Sequence, residues 1–158
     1  MKRRMLVMSL ALAVLAAGLA VPVVAGELVP FHGTLEGSEV VTGAPPLVSV
    51  QGSGGGEATQ LGRYSYDLVA TVDISNPPPK GVGTLTLTTA NGDQLIAGFM
   101  GFSVPVIPGQ IILITEEALI IDGTGRFAGA TGSFTITRLK NQITGETFGS
   151  FEGEISTP

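Results

Sequence analysis

The most regular pattern in the chain is "RYSYDLVATVDIS" (Arg63–Ser75). Tyr64, Tyr66, Leu68, Ala70, Val72 and Ile74 hold alternate positions, and Arg63, Ser65, Asp67, Thr71 and Asp73 share the positions between them with Val69. Side chains on a strand alternate between faces, so this period of two predicts a half-buried strand. It stops at "NPPPKG" (Asn76–Gly81), because proline has no N–H to give a ladder. "GTLTLTTANGDQLIAGFMGFSV" (Gly83–Val104) predicts two strands around Ala90–Asp93, since Asn-Gly accepts the positive φ of a tight hairpin. "IILITEEALIID" (Ile111–Asp122) contains a helix-tolerant Glu-Glu-Ala, yet its isoleucines and the glycines beyond it predict a strand. "GSFTITRLK" (Gly132–Lys140) and "ETFGSFEGEIS" (Glu146–Ser156) form a last pair, and "PFHGTLEGSEVVT" (Pro30–Thr42) and "PLVSVQGSG" (Pro46–Gly54) a first.

No segment joins a helix cap to a 3.6-residue apolar stripe. The pattern therefore predicts an all-β fold, an eight-stranded antiparallel β-barrel of calycin-like form. Gly33, Gly37, Gly98, Gly101, Gly149 and Gly153 fall inside strand patterns. They are expected to mark bends and bulges at the barrel's corners. "GSGGGE" (Gly52–Glu57) is expected to be a flexible loop or a kinked strand. An eight-stranded barrel is either filled by its own side chains or holds one small ligand.

The amino end has a different character. "MKRR" precedes a long apolar run that closes with Pro22 and "VVA". This predicts a signal peptide over residues 1–25, cleaved after Ala25, and a secreted or periplasmic domain over 26–158. An uncleaved anchor is the alternative, and no Cys follows the run to carry a lipid. Lys2, Arg3 and Arg4 are three of the eight cations, so the remainder carries five against thirteen acids, a formal charge of −8. That balance disfavours nucleic acid and anionic membrane surfaces as partners. No later apolar stretch is long enough for a membrane helix. The chain has no cysteine, which excludes thiol chemistry, and its one histidine, His32, excludes a His-rich zinc site. No cofactor or metal is expected.

"IIDGTGRFAGATGSF" (Ile120–Phe134) looks at first like a phosphate-binding loop. Such a loop opens into a helix whose N-terminus meets the phosphate, whereas a β-alternating run follows here and the glycine spacing is different. The residues Gly123, Thr124, Gly125, Phe127, Gly129, Ala130 and Gly132 instead resemble the strand-turn-strand signature of the allene oxide cyclase and dirigent barrels. "GEATQLGRYSY" (Gly56–Tyr66) and "ANGDQL" (Ala90–Leu95) are similar to segments of small exported bacterial proteins of this type. The resemblance implies a barrel with an apolar cavity and a few polar side chains. In the cyclases these act on a strained fatty-acid epoxide; in dirigent barrels, acids and an Arg steer the coupling of phenols. It also implies a homo-oligomer. In the turn itself the glycines, Gly123, Gly125, Gly129 and Gly132, are expected to serve backbone shape, and Phe127 to pin the turn against the barrel end.

Two functions are open on these grounds. The first is a secreted barrel that binds a small hydrophobic ligand or has a structural role, without catalysis. The second is an isomerase or cyclase acting on a hydrophobic substrate, with Glu116, Glu117, Tyr64 and Tyr66 as candidate catalytic groups. Arg63, Tyr64, Tyr66 and Arg126 are candidate binding residues. Glu116 and Glu117 are adjacent, so on a regular strand one of them faces the apolar side. A local bulge that leaves both carboxylates solvated is the expectation. The alternative is an inward Glu, desolvated and in need of Arg126 or Arg138 as partner.

Overall fold

Alternation decides the architecture. Each β-rich segment turns one set of side chains inward, and no set can be buried until the sheet closes on itself. The computed structural model describes residues 26–158, and the leader expected over residues 1–25 lies outside the described residues. Eight antiparallel strands follow one another around a closed barrel: β1 (Val29–Ala44), β2 (Leu47–Ala58), β3 (Gly62–Asp73), β4 (Lys80–Thr89), β5 (Gln94–Ile107), β6 (Ile111–Gly123), β7 (Thr131–Asn141) and β8 (Glu146–Ser156). β8 closes the ring on β1, with Phe31 opposite Gly153 and Leu35 opposite Gly149. The only other element among the described residues is a 3-10 turn, Gly125–Phe127, between β6 and β7.

The two ends of the barrel differ. The first end gathers the β2–β3, β4–β5 and β6–β7 turns, together with Gly26 and Pro158. Its interior is packed. Phe31 stacks edge-on to Phe134 at 5.2 Å between centroids and lies 4.9 Å from Phe151, with Leu87, Leu95 and Ile155 buried around them. Aromatic pairs in this geometry add about 0.5–1.5 kcal/mol each beyond the area they bury. Phe127 is fully buried here, so the glycine-rich turn is pinned to the barrel as its sequence predicts. Gly125, Gly129 and Gly132 take positive φ, and Asp93 of the β4–β5 turn accepts from the Arg126 N–H at 3.4 Å. The second end carries the β1–β2, β5–β6 and β7–β8 hairpins and the proline-rich β3–β4 loop, and its interior is open.

Most of the strand glycines lie away from the bulges expected of them. Register breaks occur only between β5 and β6, at Ile96/Ala97 and Pro105/Ile107. Most inward glycines instead sit directly opposite a large inward side chain on the next strand. Gly52 pairs with Glu39, Gly54 with Tyr66, Gly56 with Tyr64, Gly101 with Glu116 and Gly149 with Arg138. A Cβ on Gly54 would come within 2.8 Å of the Tyr66 ring, and one on Gly101 within 2.7 Å of Glu116 Cγ. Real Cβ atoms do not approach so closely, so each glycine admits both the opposite side chain and a carbonyl of the neighbouring strand, Glu36 O at Gly54 and Thr115 O at Gly101. "GSGGGE" is accordingly not a loop: it is part of strand β2, with glycine at each inward position.

Candidate functional site

The inward row of β7 holds the key. Phe134, Ile136, Arg138 and Lys140 alternate inward, the first two in the packed half and the second two at its upper boundary. Arg138 is 5% exposed and meets Glu116 of β6 side-on: Nε donates to Oε2 at 2.9 Å and Nη2 to Oε1 at 2.8 Å. Its Nη1 donates to Glu39 Oε1 of β1 and to Thr147 Oγ1 of β8 at 3.2 Å. The Thr147 hydroxyl in turn donates to Leu139 O at 3.0 Å. Lys140 Nζ stands 2.7 Å from the other oxygen of Glu39. Two carboxylates and two cations thus form one buried layer across the barrel, drawn from β1, β6 and β7.

Such a layer is costly to bury, because each ion loses water worth several kcal/mol. It holds together because the charges balance and a two-point Arg–carboxylate contact has ideal geometry. Burial by itself would lower the Arg138 pKa. The hydrogen bonds and charge of Glu116 and Glu39 outweigh that effect and hold it above the ordinary arginine value. Beneath the layer lie the two tyrosines. Tyr64 reaches over Gly56 and donates to Thr34 O at 2.6 Å, and burial raises its phenol pKa well above the ordinary range. Tyr66 is buried with no partner for its hydroxyl among the described residues. Burial pushes its pKa up to about 12; the Arg138 charge opposes the shift, while Glu39 and Glu116 add to it.

Above the layer is a cavity of about 280 Å³ that opens between the hairpins of the second end. Val50, Ala70, Val72, Phe99, Ile112 and Ile114 are among its walls, and Glu39, Glu116, Arg138 and Lys140 form its floor. The floor is the charged part of the lining; Gln142 and Ser103 are its other polar side chains.

The candidates from the sequence separate on this geometry. Glu116 is the inward carboxylate, 4% exposed, with an unbroken β6–β7 ladder around it, so the expected bulge that would solvate it is absent. The physical reason is Arg138, which satisfies the carboxylate that a bulge would have had to expose. Glu117 points outward and accepts from Thr135 Oγ1 at 3.0 Å. Tyr64 and Tyr66 lie under the charged layer and not at the cavity mouth. Arg63 is on the outer face, its side chain 85% exposed, 3.7 Å from Glu57. Arg126 sits at the opposite, packed end, its guanidinium 4.8 Å from the centre of the Phe127 ring. His32 is exposed on the outside of β1. Glu39 and Lys140 were not singled out by sequence. Their signal was parity: Glu39 shares alternate positions with Phe31 and Leu35, and Lys140 with Phe134 and Ile136.

No protein-family model matches the chain, and no curated protein does. Among solved structures, the barrel is similar to a pterocarpan synthase dirigent protein, at 13% identity over 96% of this chain and 97% of that one, with a TM-score of 0.53. The likeness shows the fold: a dirigent-like, eight-stranded antiparallel barrel.

Proposed function

We propose that this dirigent-like barrel binds one small, mainly apolar molecule in the cavity at its hairpin end. The supporting observation is the contrast between its two halves. Protein interiors pack to the density of organic crystals and leave few voids larger than a water. One half of this barrel meets that standard, while the other keeps about 280 Å³ open above a charged floor. Pockets that hold small molecules are mostly apolar, with a few convergent polar groups that fix orientation, and run upward from about 300 Å³. The cavity is at the small end of that class and has that composition.

The enzyme reading has an observation in its favour, since Glu39 and Glu116 are buried carboxylates facing an open cavity. Each is already engaged by cations, Glu116 at two points by Arg138 and Glu39 by Arg138 and Lys140. A carboxylate that took a proton would forfeit the charge-assisted hydrogen bonds that hold it in the buried layer, and this favours binding over proton-transfer catalysis.

Native mass spectrometry tests the proposal on protein purified from its own compartment. A small-molecule adduct is expected on the natural protein and is expected to be lost in Ala70→Phe, which places a ring in the cavity. If neither form carries an adduct, and apolar small molecules leave the Tm of the natural protein unchanged, the proposal fails. Export belongs to the same reading and rests on the cationic and apolar pattern of residues 1–25; mature protein beginning at Gly26 is the expected result of N-terminal sequencing. Self-association is supported by an outer apolar row, Val104, Leu113, Leu139 and Phe148, aligned across β5 to β8. Sedimentation equilibrium measures it.

A further inference from the structure

The floor of the cavity is neutral as a unit but not saturated as a set of donors. This inference rests on the cavity-binding reading above and refines what the cavity takes. Arg138 spends its side on Glu116 and one end on Glu39 and Thr147, so four of its five N–H donors are committed within the layer. Lys140 is different. An ammonium has three N–H donors, and the described residues offer its Nζ one acceptor, Glu39 Oε2 at 2.7 Å. The side chain is 8% exposed and belongs to the cavity lining, so its uncommitted donors face the cavity. A molecule that displaces water from these donors without supplying an acceptor leaves them unsatisfied, which is unfavourable; one that supplies an acceptor avoids that penalty.

Charge then decides what kind of acceptor. Glu39 and Glu116 already balance Arg138 and Lys140. A ligand carboxylate would bring a third negative charge to within a few ångströms of Glu39, with no third cation in the cavity lining to compensate it. Desolvation and like-charge repulsion both oppose this. A carbonyl or ether oxygen accepts the same hydrogen bond and adds no net charge. We infer that the cavity selects apolar molecules bearing a neutral hydrogen-bond acceptor, a ketone, ester or ether oxygen, at the end that enters first, and that Lys140 Nζ receives it.

Three rigid compounds of similar size separate the possibilities: α-tetralone with a neutral acceptor, tetralin with none, and naphthoate with an anionic one. Their dissociation constants are read from amide chemical-shift titrations of the natural chain and of Lys140→Met. Lys140→Met is expected to weaken α-tetralone about tenfold while leaving tetralin unchanged or tighter, the size of one charge-assisted hydrogen bond. Naphthoate is expected to bind the natural chain at least about tenfold more weakly than α-tetralone. Lys140→Gln keeps a neutral donor and is expected to retain part of the α-tetralone affinity; it carries the comparison if Lys140→Met loses its folded spectrum. Naphthoate binding as tightly as α-tetralone overturns the neutral-acceptor inference, and so does an equal loss of α-tetralone and tetralin on substitution, while the cavity-binding reading survives both results. Failure of all three compounds to bind the natural chain removes the cavity-binding reading itself, and this inference with it.

Discussion

Tyr64 and Tyr66 show how far a residue's meaning depends on what lies opposite. Their alternation with Leu68 and Ala70 is enough to place them inside, and they are inside. Their depth, beneath a layer of ions and away from the cavity mouth, follows from Gly54 and Gly56 on β2, which leave room for the rings to lie flat across the neighbouring strand. This has a measurable consequence. The chain has two tyrosines and no tryptophan, so its near-ultraviolet tyrosinate signal is theirs alone. Folding holds both phenols neutral, and that part of the stability is complete below pH 10, where unfolded tyrosine also keeps its proton. It is lost as the pH climbs past 10 and through the folded value, about 12 for Tyr66. A pH titration of the folded protein is expected to show little tyrosinate at pH 10–11, with denaturant midpoints falling across the same interval. Tyrosinate at the ordinary pH in the folded chain would contradict the placement of both rings.

At the scale of elements, the barrel's strands are matched in pairs of large and absent side chains. β5 contains the comparison within itself. Gly101 faces inward opposite Glu116, and a Cβ there would clash with the Thr115 carbonyl and meet Glu116 Cγ at 2.7 Å. Gly98 faces outward, and a Cβ there would meet only Ile121, at an ordinary 3.8 Å. Gly101→Ala is expected to cost about 1–3 kcal/mol by overpacking, and Gly98→Ala to fall within about 0.5 kcal/mol of the natural chain. Urea unfolding of both variants measures the difference. Equal effects would mean that the inward glycines are not there for close approach of the next strand and its side chain. The β6–β7 turn was legible in sequence because its glycines cluster around one bulky residue, Phe127, and four glycines in ten residues rarely serve anything but backbone shape. The role of β2 was not legible. The same glycine-rich composition suits a linker, and only the register against β1 and β3 reveals that Glu39, Tyr66 and Tyr64 fill it.

For the molecule as a whole, the division into a packed half and an open half is the property that bears on function. Ala70 and Ala97 both face inward, but Ala70 lines the cavity and Ala97 is sealed in the packed half. Ala70→Leu fills empty space and is expected to stabilise by about 0.5–2 kcal/mol, whereas Ala97→Leu has nowhere to go and is expected to cost about 1–3 kcal/mol. Calorimetric Tm values that move the same way for both would place the void elsewhere. By itself, the sequence determined the strands, their number and their closure into a barrel, because alternation and turn chemistry are local and eight half-buried strands have few other ways to bury one face. It also placed Tyr64, Tyr66 and Phe127 inside. Tertiary structure alone decided that Glu116 is the inward acid, since both parities of Glu116-Glu117-Ala118-Leu119-Ile120-Ile121 are equally apolar and only the unbroken register with Arg138 separates them. It alone brought Glu39 to Arg138 across 99 residues, and it alone left the space above them open, because neither a long-range ion pair nor an unfilled volume has any trace in local spacing.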